Sequence, residues 1–287
     1  MTNPSDSIEQ KIELEPQPTA RDVLGAGKDF LGHFGVEVDP AQNPEQFRAA
    51  LEQLNPRFQG GRDLVRFELE ADQTQWDEDT KKVIMDAAEA MRMLEKETSL
   101  TGHYDLVIAL GGARQSNLDR AKYAAEAVKE GGATIDRLIV AGSFRPLNDA
   151  EKENVSNYAP NAQTEFGLCG GAAKQIATDY PELKVRAIPV PGEKAGTPEV
   201  LEHVFSLMRK QGILPEGSRV AAVTTQIYQA STSLDIARVG KQFGLEAMAA
   251  GNPSDQKIVD ARTPATYLSE VLRTLRAASL AIESQTS

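Results

Sequence analysis

Asp105-Leu106-Val107-Ile108-Ala109-Leu110-Gly111-Gly112-Ala113-Arg114 is the stretch that decides the fold. The run from Leu106 to Leu110 is apolar without interruption, which is typical of a parallel strand buried on both faces. The segment 116–129 that follows has apolar or small residues at helical spacing. The stretch therefore predicts a strand, a glycine-containing loop and a helix in succession.

The same alternation continues along the rest of the chain. Apolar runs predict five strands, at 105–110, 136–141, 184–190, 219–224 and 245–250. The segments between and after them predict helices, near 116–130, 163–180, 197–211, 226–243 and 263–284. Thr197-Pro198 and Thr263-Pro264 each predict a capping hydroxyl followed by proline in the first helical turn. This order predicts an α/β fold, a Rossmann-like three-layer αβα arrangement around a parallel five-stranded sheet.

The region before residue 101 differs from this pattern. Residues 1–20 are polar without apolar periodicity, which predicts a disordered tail. Residues 21–100 are predicted to form a mainly helical N-terminal cap or extension. Its helices are expected at 21–34, 44–54 and 77–97, and 64–70 fits either an edge strand or a helix. Residues 101–287 are predicted to form the Rossmann-like domain.

Composition limits the classes of partner. A formal charge of −11 over 287 residues argues against a broad surface for nucleic acid or anionic membranes, because both need accumulated Lys and Arg. No apolar run reaches the length of a membrane helix, and residues 1–20 resemble no targeting signal. The single cysteine excludes an intrachain disulfide and fits a reducing compartment, so the predicted location is cytoplasmic. The oligomeric state stays open.

Glycines and arginines follow the first two predicted strands of the sheet. Loops at the carboxyl ends of parallel strands form the ligand crevice of such folds, and glycine allows backbone N–H groups to approach an anion. Arginine offers a fork of donors for phosphate or carboxylate, although each could instead pair with a surface carboxylate. The candidate ligand-binding residues here are Gly111, Gly112, Arg114, Arg120, Gly142, Ser143 and Arg145.

The later strand ends add polar side chains to the same predicted crevice. Hydroxyl, amide and phenol groups there are expected to orient a ligand, while ordinary helix capping by Thr225 is the alternative. These candidates are Thr197, Thr224, Thr225, Gln226 and Tyr228. Glu165 and Glu193 are the candidate general bases, with helix-dipole stabilisation or pairing with arginine as their alternatives.

The remaining reactive residue types predict no site. Cys169 lies among small residues and is expected to serve close packing rather than nucleophilic attack. His33, His103 and His203 lie in different segments without metal-ligand spacing, and no metal site is predicted. No nucleophile elbow of the Gly-x-Ser-x-Gly type is present.

The order of these short motifs resembles that of the YdcF/SanA-like family of bacterial proteins, over about 105–285. The motifs that carry the resemblance are Leu110-Gly111-Gly112, Arg120, Ala141-Gly142, Thr164-Glu165, Gly196-Thr197 and Val223-Thr224-Thr225. The chain departs from the family at Gly196, where the family has asparagine, and at Tyr228 and Ser231, where it has histidine and arginine. The resemblance implies a Rossmann-like fold that holds a nucleotide-type small molecule at the strand ends, as in the soluble YdcF-like branch.

Together these features predict a soluble protein that binds an anionic, nucleotide-like ligand at the carboxyl edge of its sheet. S-adenosylmethionine and a nucleotide sugar are the two candidate ligands, and the sequence assigns neither a cofactor nor a reaction. Two alternatives stay open. One is a non-enzymatic sensor or scaffold that uses the helical N-terminal region, and the other is a phosphate-ester hydrolase.

Overall fold

The computed structural model describes residues 18–54, 76–94, 99–112, 115–153, 157–192, 195–254 and 262–286. The first 17 residues, 64–70, Arg114 and Glu193 lie outside this part of the chain, and so do the predictions made for them. No helix in the described ranges is both long enough and apolar enough to cross a membrane.

Within these ranges, seven strands form two parallel sheets. A short sheet pairs β1 (Gly102–Tyr104) with β3 (Ala133–Ile135). The main sheet has the order β5-β4-β2-β6-β7. Its strands are β2 (Leu106–Leu110), β4 (Leu138–Ser143), β5 (Val185–Val190), β6 (Arg219–Thr225) and β7 (Glu246–Asn252).

Ten α-helices are described. The four before the sheets are α1 (Ala20–Ala26), α2 (Lys28–His33), α3 (Pro44–Leu54) and α4 (Glu78–Ala90). Those that alternate with strands are α5 (Ser116–Lys129), α6 (Asp149–Glu153), α7 (Glu165–Asp179), α8 (Thr197–Lys210) and α9 (Gln229–Gln242). The last is α10 (Pro264–Thr286), and a 3-10 turn, Gln226–Tyr228, precedes α9.

The main sheet is covered on both faces, as the uninterrupted apolar strands predict. Alternate residues of β2 face opposite layers: Val107 packs with α5 and α7, and Ile108 packs with α8 and α9. All five residues of β2 are buried because this strand occupies the centre of the sheet. The predicted three-layer αβα fold with five parallel strands is therefore confirmed.

The C-terminal helix differs from the predicted alternation. Instead of joining either layer on the sheet, α10 packs beside α9 and contributes to a third core with the N-terminal helices. Phe47 of α3 and Ile84 of α4 are fully buried in this core together with Leu275 of α10. The apolar face of α4 therefore packs against other helices of the same chain.

The short sheet was not predicted. Its strands continue the pairing of β2 with β4 past a break at Asp105 and Asp136, and three-residue strands give no usable periodicity. The long connection after β4 is also more ordered than its composition indicates. The Leu147 N–H donates to the Gln163 carbonyl at 3.0 Å, the Glu165 N–H donates to the Arg145 carbonyl at 2.9 Å, and α6 lies within the connection.

Candidate functional site

The predicted site residues from three strands lie along one edge of the sheet. β2 ends at Leu110, β4 at Ser143 and β6 at Thr225, and β2 lies between the other two. The connections from β2 and β6 lead to opposite faces, since α5 and α9 belong to different layers. The gap between the ends of β2 and β6 is therefore the topological switch point, where open α/β sheets hold their ligands.

Arg120 occupies this switch point. Its guanidinium donates from Nη1 to the carbonyl oxygens of Leu110 at 2.8 Å and Gly111 at 2.6 Å. It also donates from Nε and Nη2 to Thr225 Oγ1, at 3.2 and 3.0 Å. The residue is 4% exposed, and within the described chain no carboxylate forms a salt bridge with it. Arg120 is thus a buried cation held by neutral oxygens.

A second cation lies beside it. The guanidinium carbons of Arg120 and Arg273 are 5.9 and 5.7 Å from the centre of the Tyr228 ring. Arg273 comes from α10 and donates from Nη2 to Thr197 Oγ1 at 2.8 Å. Burial lowers the pKa of Arg120, Tyr228 and Glu165 oppose the lowering, and repulsion from Arg273 adds to it. Both guanidinium groups therefore lie against the Tyr228 ring, and Arg273 also pairs with Glu270 at 3.7 Å.

Two predicted capping roles are wrong because of these contacts. Thr225 precedes the 3-10 turn without a side-chain capping bond, and its hydroxyl instead accepts from Arg120. Thr197 is the first residue of α8 rather than its cap, which is Gly196. The Thr197 hydroxyl receives the Arg273 contact.

Glu165 lies between the ends of β2 and β4. A Cβ on Gly111 would overlap Glu165 Oε1, and one on Gly142 would lie 3.1 Å from it. Glycine at both positions therefore makes room for the carboxylate. Thr164 caps α7 by accepting from the Gly167 N–H at 3.2 Å, which fixes Glu165 at the first position of the helix.

The surroundings of Glu165 raise its pKa on balance. Burial raises the pKa of Glu165, while attraction to Arg145, a hydrogen bond from the Ser143 backbone and the charge of Arg120 oppose the rise. The side chain keeps 15% of its surface exposed, so it is accessible from the edge of the sheet. A partly buried carboxyl with a raised pKa suits general acid–base catalysis.

Arg145 forms ion pairs with two carboxylates, Glu151 and Glu165. It contacts Glu151 through two hydrogen bonds, at 2.9 and 3.0 Å, and Glu165 through one at 3.2 Å. Glu151 and Asn148 form reciprocal side-chain to backbone hydrogen bonds, each at 2.9 Å, as in a capping box at the start of α6. This network holds the connection after β4 against Glu165.

The glycine loop after β2 is held by a residue that the sequence analysis missed. Asn117 accepts from the Gly112 N–H at 3.0 Å and donates to the Gly112 carbonyl at 2.6 Å. The Gly111 N–H donates to the Ala141 carbonyl at 2.6 Å. Both glycine amides are therefore used within the protein, although the sequence suggested that they would face an anion.

Cys169 is fully buried beneath this loop. Its thiol donates to Asn117 Oδ1 at 3.3 Å, and burial raises the pKa of the thiol well above its ordinary value. The predicted packing role is confirmed, because a thiolate is disfavoured here.

The remaining candidates lie around this centre. Ser143 is buried and its hydroxyl accepts from the Arg145 N–H at 3.3 Å. Thr224 is buried at the end of β6. Gln226 points toward the N-terminal region and donates to the Arg92 carbonyl at 3.1 Å. The candidate residues at the carboxyl edge thus form two neighbouring groups, one around Arg120 and one around Glu165.

The residues that sequence reasoning missed are Asn117, Asn148, Glu151 and Arg273. For two of them a local signal exists: Asn148 and Glu151 have capping-box spacing. Arg273 gives no such signal, because it reaches the edge only through the packing of α10.

Comparisons with known proteins identify a limited relationship. No protein-family model matches the chain, and no solved structure matches it significantly. Uncharacterized proteins of Mycobacterium tuberculosis (strains H37Rv and CDC 1551) are 32% identical to it over 94 residues. An uncharacterized protein of Mycobacterium bovis shows the same identity over the same length. The match covers 33% of this chain and only 26% of each relative, so the chain spans about a quarter of the length of these curated relatives.

Proposed function

We propose that the carboxyl edge of the main sheet binds an anionic small molecule of nucleotide type, in an enzyme in which Glu165 transfers a proton. The observation that carries the proposal is the buried guanidinium of Arg120 at the switch point, which no carboxylate of the described chain contacts in a salt bridge. Arg273 lies nearby and is paired with Glu270 at 3.7 Å. A desolvated charge of this kind is costly unless a counter-charge approaches it.

Arg120 acts as a positioning residue in this proposal. Its donors are directed at Leu110, Gly111 and Thr225, so it shapes the ends of β2 and β6 and supplies electrostatic attraction. Arg273, whose side chain is 40% exposed, supplies the direct contact to the anion. The Tyr228 ring contacts both guanidinium groups, whose carbons lie 5.9 and 5.7 Å from its centre.

An exposed aromatic residue supports the nucleotide class. Phe144 is 45% exposed, follows directly after Ser143 at the same edge, and packs edge-on against Phe166 with ring centres 5.6 Å apart. An aromatic ring in such a position offers a stacking face for a base. The candidates are S-adenosylmethionine, which presents a carboxylate and an adenine, and a nucleotide sugar, which presents a diphosphate and a base.

The YdcF-like resemblance belongs to the same proposal. The motifs that carry it, from Gly111 to Thr225, lie along one edge of a Rossmann-like sheet. Cytoplasmic location is also proposed, because one buried cysteine fits a reducing compartment.

Binding is tested by titrating the purified chain with S-adenosylmethionine, UDP-glucose, ATP and inorganic phosphate at constant ionic strength, with melting temperature and calorimetric heat as readouts. We expect one nucleotide-type compound to raise the melting temperature. Arg273→Ala is expected to weaken its binding at least about tenfold, which is the loss of one charge-assisted contact. Arg276→Ala is the matched control, since Arg276 lies one turn further along α10 and its side chain is 52% exposed.

Two further variants separate the parts of the ligand. Phe144→Ala should weaken the binding of compounds that carry a base. It should leave the change of melting temperature caused by inorganic phosphate as it is in the wild type. Glu165→Gln should keep binding and abolish turnover of the compound identified. The proposal fails if none of these anions stabilises the chain, or if Arg273→Ala and Arg276→Ala bind alike.

A further inference from the structure

The amino edge of the sheet carries a separate group of metal-ligating side chains. His103 belongs to β1, Asp105 lies between β1 and β2, and Asp136 follows β3. One ligand atom from each of the three lies within 4.8 Å of the others. These residues are at the end of the strands opposite to Arg120 and Glu165, and the proposed function uses none of them.

The distances distinguish this group from an ordinary hydrogen-bonded cluster. His103 Nε2 is 3.9 Å from Asp105 Oδ1 and 3.8 Å from Asp136 Oδ2, which is too long for a hydrogen bond to either. Two ligands of one tetrahedral zinc ion, each about 2.1 Å from the metal, are roughly 3.4 Å apart. The two distances from His103 exceed this spacing by about 0.5 Å, and the two carboxylates lie within 4.8 Å of each other, so an ion would draw the three side chains together.

Neighbouring groups orient two of the ligands toward this space. His103 Nδ1 is 3.1 Å from Thr134 Oγ1, which leaves Nε2 directed at the two carboxylates. Asp105 Oδ2 accepts from the Arg219 N–H at 2.8 Å, which leaves Oδ1 for the ion. Such partners, which fix the imidazole and the carboxylate, are characteristic of zinc sites.

The charge of the group also favours a cation. Two carboxylates converge on one imidazole, and the side chain of Arg219, whose backbone N–H holds Asp105, is directed elsewhere. Its Nη1 donates to the His103 carbonyl at 3.4 Å, and its guanidinium lies over the Tyr104 ring at 4.6 Å.

We propose that His103, Asp105 and Asp136 bind one zinc-class divalent ion. An imidazole with two carboxylates suits zinc, whereas a hard ion such as magnesium prefers oxygen ligands alone. The three side chains are 55%, 33% and 60% exposed, so water completes the coordination. The ion would join the short sheet to the start of β2.

The test uses the full chain without an affinity tag, freed of metal by dialysis against a chelator. Calorimetric titration with Zn²⁺ should give about one ion per chain, Mg²⁺ should give none, and Co²⁺ should give visible absorption bands of a nitrogen-containing site. Zn²⁺ should also raise the melting temperature, because an ion that binds the folded chain stabilises it.

Asp136→Asn is the principal variant, because the Asp136 side chain is 60% exposed and the substitution keeps its shape. It should lower zinc affinity at least about tenfold, and His103→Asn should do the same. Thr134→Val, which removes only the orienting hydroxyl, should cause a smaller loss. His33→Asn is the matched control, since His33 is an exposed histidine of α2 outside the group.

Equal zinc binding by Asp136→Asn, His103→Asn and the wild-type chain would overturn the proposal, and so would the absence of stoichiometric binding. Loss of binding in His33→Asn together with the other variants would place the ion elsewhere and would also overturn it. None of these outcomes depends on the nucleotide-type ligand at the opposite edge.

Discussion

The Thr225 hydroxyl accepts two hydrogen bonds from the buried guanidinium of Arg120, from Nε at 3.2 Å and from Nη2 at 3.0 Å. The two residues are 105 positions apart in the chain. Their contact connects α5, the helix after β2, to the end of β6 at the switch point of the sheet. A predicted ligand-binding pair thus has a structural role as well.

Thr225→Val removes the acceptor of both hydrogen bonds while keeping the shape of the side chain. The donors of a buried guanidinium are then unsatisfied, so we expect the free energy of unfolding to fall by about 1–3 kcal/mol. Urea denaturation measures the change. Thr225→Ser, which keeps the hydroxyl, is the control and should lose less. Equal stability of the valine variant and the wild type would contradict this role.

Gly111→Ala tests the close approach of Glu165. The new Cβ would overlap Glu165 Oε1 and lie 2.8 Å from the Ala141 carbonyl, so we expect a loss of about 1–3 kcal/mol in the free energy of unfolding. Gly170→Ala is the matched control, because a Cβ there meets no heavy atom within 4 Å. Within α7 it should stabilise the chain, by up to about 1 kcal/mol. Similar effects of the two substitutions would contradict the close packing at Gly111.

Asp235 of α9 is expected to make stability depend on pH. Burial raises its pKa to about 6, although Arg273 and Arg238 oppose the rise, and Glu199 adds to it. In the unfolded chain the carboxyl ionises near its ordinary pKa of about 4, so the folded state binds the proton more tightly. The contribution of Asp235 to stability is therefore favourable at low pH and declines as pH rises from about 4 to about 6.

Asp235→Asn removes this titration. Relative to the wild type, the variant should gain stability as pH rises through that window, by about 3 kcal/mol at most. Urea denaturation at pH 4.5 and pH 7 measures the difference, with Asp149→Asn as the control at a side chain that is 98% exposed. A constant difference between variant and wild type at both pH values would show that Asp235 is not the group responsible.

Phe47→Ala tests whether the N-terminal helices share one cooperative unit with the sheet. Phe47 is fully buried in the core that α3 forms with α10, so we expect a loss of about 3–5 kcal/mol and a single unfolding transition. Gln46→Ala, at an exposed neighbour, should change stability by less than about 0.5 kcal/mol. A separate early transition of the helices would instead indicate an independent unit and would contradict this prediction.

Most of the fold could be predicted from periodicity. β2 and the helix Ser116–Lys129 lie within one residue of their predicted bounds, because a buried strand and an amphipathic helix each leave a strong local pattern. β1 and β3 were missed, since three residues are too few for a pattern. The helix after Thr197 was placed correctly, but its cap was assigned to the wrong residue, because the Thr197 hydroxyl contacts Arg273 from a distant helix.

The sequence by itself determined that five apolar strands alternate with helices, and hence that glycine, arginine and hydroxyl residues collect at one edge of a sheet. That result needs only local periodicity and the handedness of parallel connections. Tertiary structure alone decided what each of those residues contacts. Arg120 meets Thr225, Glu165 fits between Gly111 and Gly142, and Arg273 arrives from a helix that packs on the N-terminal region. These contacts join residues far apart in the chain, and their geometry depends on how whole layers pack, which no local pattern records.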